Sequence, residues 1–203
     1  MNTKKIAALL WIVGSLVFFI TILLYVLIYK PVSGSNADKV NHLLNHWPLV
    51  TGIWKAETLA AIFLVVSAWY FSSTEKSIAW FLVSLAYIII IVMYALLLGA
   101  YPSSVNVFSD SPFLFPMIND TAIWIFSLSN LLFLIGLSGI YYKNLTLRKW
   151  ISTTAMIISI IGWFGALALF FGLITFSQMN ILGPLILILY LINAYLGFKL
   201  IRN

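Results

Sequence analysis

Apolar residues fill six long stretches of this chain, and polar residues gather in the gaps between them. The stretches cover residues 6–29, 50–71, 78–100, 122–142, 150–176 and 181–201. Each reaches about 20 residues or more, the length an α-helix needs to cross the hydrocarbon core of a bilayer. Most are apolar on nearly every face, so periodicity does not say which side meets lipid. The pattern predicts an all-α bundle of six transmembrane helices, read as one transmembrane domain over residues 1–203. Lys4 and Lys5 precede the first run, as in a signal peptide. Its apolar core is far longer than the roughly 7–15 residues of such a segment, so it reads as a retained span.

The gaps are unequal. Residues 72–77, 143–149 and 176–180 are short turns, whereas 30–49 and 101–121 are long loops on one side. Residues 37–46 predict an amphipathic helix at the interface. Val40, Leu43, Leu44 and Trp47 would dip into the bilayer, while Lys39, Asn41, His42 and His46 face water. Pro48 then ends that helix, because the residue before proline disfavours helical backbone. The second long loop carries Pro102, Pro112 and Pro116 and predicts irregular chain at the outer mouth. Asn119, Asp120 and Thr121 follow it as capping groups for the fourth span.

Composition narrows the class. Of 203 residues, 63% are hydrophobic and 8% charged, and mean hydropathy is +1.09. Soluble domains carry about 25% charged residues. A soluble enzyme, a nucleic-acid binder and a disordered chain are therefore excluded. The net charge of +6 sits at the ends of apolar runs. One side holds Lys4, Lys5, Lys76, Lys143, Arg148, Lys149, Lys199 and Arg202; the other holds Lys30, Lys39 and Lys55. The positive-inside rule then places both termini in the cytoplasm. Trp54, Trp69, Trp80, Tyr101, Trp124, Tyr141, Tyr142 and Trp150 fall near span ends and read as interfacial belts. With no cysteine, the chain has no disulfides, thiolate metal sites or cysteine nucleophiles.

Few residues could carry chemistry. Glu57 is the one carboxylate inside or at the edge of a span. An ionisable group in a membrane helix usually faces the bundle interior or a water-filled cavity. It would then serve as a proton relay, cation ligand or substrate anchor. If the helix instead begins later, Glu57 lies among the headgroups. Lys55 stands at i−2, off the Glu57 face, and snorkels outward. His42 and His46 are spaced i, i+4 and would share a helix face, where two imidazoles could bind a metal. A structural metal site usually needs four ligands, and only two are local. Ser127, Ser129, Asn130 and Asn193 read as interhelical hydrogen-bonding groups. Gly162, Gly165, Ala166, Ala168 and Gly172 give the fifth span a small-residue side for close packing. No P-loop, G-x-S-x-G or H-E-x-x-H motif is present.

Two stretches carry a resemblance. One is Glu57 through Trp80. The other is Gly139-Ile140-Tyr141-Tyr142-Lys143 with Leu147-Arg148-Lys149-Trp150-Ile151. In these the chain resembles a group of uncharacterised bacterial six-helix integral membrane proteins, a domain of unknown function. That resemblance implies the fold and no activity.

Three functional readings follow, all in a bacterial cytoplasmic membrane. The first is a non-enzymatic protein acting by association, with a homodimer or another membrane protein as partner besides the lipid bilayer. The second is a small carrier or channel with an outward-facing polar cavity near Glu57. The third is a metal- or haem-dependent membrane enzyme using His42 and His46. The sequence identifies no cofactor.

Overall fold

The computed structural model describes residues 2–32, 34–143 and 147–202. Among them the regular structure is helical throughout. Helix α1 covers Thr3–Leu24 and runs on into a π-helical turn, Tyr25–Tyr29. Then come α2 (Asn36–Asn45), α3 (Trp47–Glu75) and α4 (Ile78–Asn106). They are followed by α5 (Leu114–Lys143), α6 (Lys149–Phe170), the short α7 (Phe176–Met179) and α8 (Gly183–Arg202). Six of these are long and apolar enough to cross a membrane.

The long helices form a ring in the order α1, α3, α4, α5, α6, α8. The contact between α6 and α8 is the slightest of the ring. Glycines set its tightest points. A Cβ on Gly136 would stand 2.8 Å from the Ala79 carbonyl, so α5 and α4 meet backbone to backbone. Gly14 does the same for α1 against Leu64 and Ala60 of α3, and Gly197 for α8 against Ile12 and Ala8 of α1. Small residues permit such approach where lipid supplies no hydrophobic drive between helices. Gly162 and Gly165 also pack inside the fold, against Leu134 and Leu182.

Several boundaries differ from the sequence reading. The helix α5 begins at Leu114, eight residues before the expected start at 122. Pro116 lies in its first turn, where a missing N–H breaks no intrahelical bond. Asn119, Asp120 and Thr121 are thus inside the helix and do not cap it; Thr121 Oγ1 donates to the Met117 carbonyl. Pro102 is carried within α4. Helix α6 stops at Phe170, not at 176. Gly172 has φ +68°, and the Leu173 amide donates back to the Ala168 carbonyl. That pattern is a Schellman cap, which needs a left-handed residue. Gly172 is therefore a helix stop rather than part of the small face.

The aromatic belts divide. Trp69, Trp124, Tyr142 and Trp150 are exposed as expected. Trp54, Trp80, Tyr101 and Tyr141 are core residues. Trp80 meets Trp11 edge to face at 4.9 Å and Phe71 at 5.0 Å.

Candidate functional site

The α3 helix starts at Trp47, so Glu57 stands about 15 Å along it at 1.5 Å per residue. Its side chain faces the bundle interior. Only 7% of the residue is exposed, on the face that also carries Trp54, Ala60, Ala61 and Leu64. Lys55 points away and is exposed.

Two hydroxyls hold the carboxyl group. Thr21 of α1 lies 2.7 Å from Glu57 Oε1. Tyr94 of α4 donates to Oε2 at 2.5 Å. Three helices therefore meet at one side chain. Among the described residues no Lys, Arg or His pairs with it. Tyr25 of the π-helical turn and Tyr190 of α8 also lie within electrostatic reach.

The proton count at Thr21 is informative. Its hydroxyl has one proton and two acceptor sites. Three acceptors surround it: the Val17 carbonyl at 3.0 Å, the Phe18 carbonyl at 3.1 Å and Glu57 Oε1. With Glu57 ionised, Thr21 and Tyr94 both donate to it. With Glu57 neutral, its own O–H donates to Thr21, and Thr21 donates to a carbonyl of α1. Only a hydroxyl rotation separates the two arrangements, so the site accommodates the carboxyl group in either protonation state.

Toward the α2 end, aromatic rings close over the site. Trp54, one turn from Glu57, meets Trp47 at 6.2 Å and Tyr101 at 5.6 Å, both edge to face. Tyr101 packs tilted against Phe115 at 5.4 Å and donates to Asn119 Oδ1 at 2.6 Å. Toward the other end lies a second aromatic layer. Phe18 stacks on Tyr190 at 5.3 Å, and Phe133 packs against Tyr87 and Tyr190.

The histidine pair sits on α2 as expected, with ring centres 4.5 Å apart. His42 Nε2 lies 2.7 Å from the Tyr29 carbonyl and His46 Nδ1 2.9 Å from the His42 carbonyl. As a donor there, His42 would tie α2 to the π-helical turn that ends α1, while His46 would bond back to α2 itself. Among the described residues no third His, Asp or Glu joins them as a metal ligand. Val40 and Leu43 of α2 are buried in the protein itself rather than in lipid. The start of α2 is a capping box between Ser35 and Asp38. The Ser35 hydroxyl and amide donate to Asp38 and hold its carboxyl below the usual carboxylate range.

Of the polar span residues, Ser129 donates across to the Ala86 carbonyl of α4. Asn193 accepts from Tyr141 at its side chain and from Trp11 at its backbone. Ser127 and Asn130 bond within their own helix. Tyr94 and Thr21 were not singled out from sequence. Their one signal is polarity inside an apolar run, shared with many residues that do nothing of the kind.

Six apolar helices with buried polar contacts define an integral membrane protein of the multi-pass type. No protein-family model, curated protein or solved structure matches the chain.

Proposed function

We propose that this protein is a small membrane transport protein, carrier or channel, in which Glu57 binds and releases a proton. The observation that supports this reading is the carboxyl group itself. It lies inside the bundle, held by Thr21 and Tyr94 and paired with no cation among the described residues. A carboxylate in a membrane span is costly, and such residues commonly mark ion paths and proton relays. A purely structural polar contact needs no ionisable group; serine or asparagine would serve at lower cost. The orientation proposed with it puts both termini in the cytoplasm of a bacterial cell, from the eight basic residues at that end against three at the other.

The test is proton flux in proteoliposomes carrying an internal pH dye, driven by a potassium diffusion potential. Wild-type protein is expected to pass protons and Glu57→Gln to lose at least nine-tenths of that flux. Absence of flux above protein-free liposomes, or flux unchanged by Glu57→Gln, contradicts the proposal. The histidine pair is not part of this path, so His42→Ala/His46→Ala is expected to retain flux.

A further inference from the structure

We propose that protons reach Glu57 from the end of the bundle bearing both chain termini, along a column of buried tyrosine hydroxyls bridged by water. The inference rests on the reading of Glu57 as a proton-binding group and adds its route.

The column is laid out along the helix axes. Tyr94 touches Glu57. Tyr87, two turns further along α4, donates to the Tyr190 hydroxyl of α8 at 3.5 Å. Tyr141 of α5 donates to Asn193 Oδ1, one turn beyond Tyr190. At 1.5 Å per helical residue, Tyr94, Tyr87 and Tyr141 stand about 24, 14 and 3 Å from the terminus-bearing ends of their helices. All four tyrosines are buried.

No direct bond joins these pairs among the described residues. Phe18 of α1, one turn before Thr21, packs on both Tyr87 at 5.7 Å and Tyr190 at 5.3 Å, which sets that pair about one helical turn from the Thr21–Glu57 contact. Each tyrosine hydroxyl that donates once can still accept. The proposed route places bridging water at each joint.

The bundle also has polar atoms that ask for water. Asn193 Nδ2 and Ser15 Oγ are fully buried and have no hydrogen-bond partner among the described residues. They lie about one helical turn apart along the bundle. Ser15 follows Trp11 by one turn on the buried face of α1, and Trp11 Nε1 donates to the Asn193 carbonyl at 2.9 Å. Buried polar groups in native proteins pair with protein or with ordered water. A buried water takes about three such partners, and Asn193, Ser15 and the Tyr141 hydroxyl are the candidates here.

The opposite direction carries tyrosines as well, Tyr25, Tyr29 and Tyr101, among the rings of Trp47, Trp54 and Phe115. The buried polar side-chain atoms without a partner among the described residues, on Ser15, Ser67, Ser152 and Asn193, all lie on the terminus-bearing side of Glu57. The groups facing Glu57 are Thr21 of α1, Tyr25 of the π-helical turn, Tyr94 of α4 and Tyr190 of α8; no Lys, Arg, His or Asp does so among the described residues.

The transfer balances without a cofactor. A proton enters from water at the terminus-bearing end; each hydroxyl and water oxygen takes a proton from its neighbour on that side and passes its own on, Tyr141 turning from Asn193 Oδ1 to the water at its joint, so only O–H bonds form and break. The net change is one proton delivered to the Glu57 carboxylate. Every hydroxyl is restored and then rotates back.

Tyrosine-to-phenylalanine changes remove one hydroxyl and keep the ring. In the proteoliposome assay Tyr87→Phe and Tyr190→Phe are expected to slow proton flux at least tenfold, with thermal unfolding close to wild type. Exchange of the Glu57 carboxyl proton for deuterium, followed by infrared spectroscopy, is expected to slow in the same variants. Flux that Glu57→Gln abolishes but both tyrosine variants leave at the wild-type rate overturns the route and leaves the Glu57 reading standing. No flux in wild type overturns both.

Discussion

Thr21 and Glu57 are 36 positions apart in sequence and 2.7 Å apart at their side-chain oxygens. That contact joins α1 to α3 inside the bundle, and Tyr94 extends it to α4. Removing the threonine hydroxyl leaves Glu57 Oε1 without its partner. Hydrogen bonds between membrane helices average about 0.6 kcal/mol. Stranding a buried charged or acidic group costs more, about 1–3 kcal/mol. Thr21→Val is therefore expected to destabilise the protein by the larger amount, and Thr21→Ser by little. Unfolding in mixed micelles titrated with a denaturing detergent reads the difference. Equal stability of the valine and serine variants would count against the contact.

Glycine positions divide by what surrounds them. A Cβ on Gly136 would meet the Ala79 carbonyl at 2.8 Å and Val83 at 2.7 Å, whereas Gly52 and Gly99 have open space. Gly136→Ala is expected to cost about 1–3 kcal/mol through overpacking. Gly52→Ala is expected to gain about 0.5–1 kcal/mol from helix propensity. The same unfolding titration gives both values, and a neutral Gly136→Ala would refute the close α4–α5 approach.

Much of this architecture is legible in the chain. Six apolar runs gave six helices, because hydrocarbon length leaves little choice. The Asn36–Asn45 helix was also visible in its polar pattern. What failed was local. Pro102 and Pro116 read as breakers like Pro112, yet α4 carries Pro102 and Pro116 stands in the first turn of α5, where proline is harmless; only Pro112 stays in the turn between them. Tryptophan near a span end read as lipid-facing, yet Trp80 turns inward against Trp11. Glu57 was visible as an anomaly, but its facing was not. An apolar run with no polar stripe hides which side is interior, and Thr21 and Tyr94 have no sequence link to it.

Fluorescence separates the two sets of tryptophans. Trp69, Trp124 and Trp150 are more than half exposed, and Trp11 and Trp80 are buried. In single-tryptophan variants reconstituted with brominated lipid, the first set is expected to be quenched and the second spared. Strong quenching at position 80 would contradict the packing of α1, α3 and α4.

The capping box of α2 gives a pH signature. The folded-state value of Asp38 lies below its ordinary 3.8, held there by Ser35. A depressed carboxylate contributes stability above its unfolded value and loses it as pH falls through the folded one. Wild type and Asp38→Asn should therefore differ in α2 order at pH 7 and converge below the ordinary Asp range. Spin-label mobility at position 41 measures this. A wild-type advantage that persists at the lowest pH would argue against the box.

The central claim is that Glu57 exchanges a proton inside the bundle. Infrared difference spectroscopy of the reconstituted protein across a pH titration tests it most directly. The account predicts a carboxylic-acid carbonyl band that titrates, is absent in Glu57→Gln and shifts in frequency in Tyr94→Phe. A spectrum in which wild type and Glu57→Gln change identically with pH would contradict it.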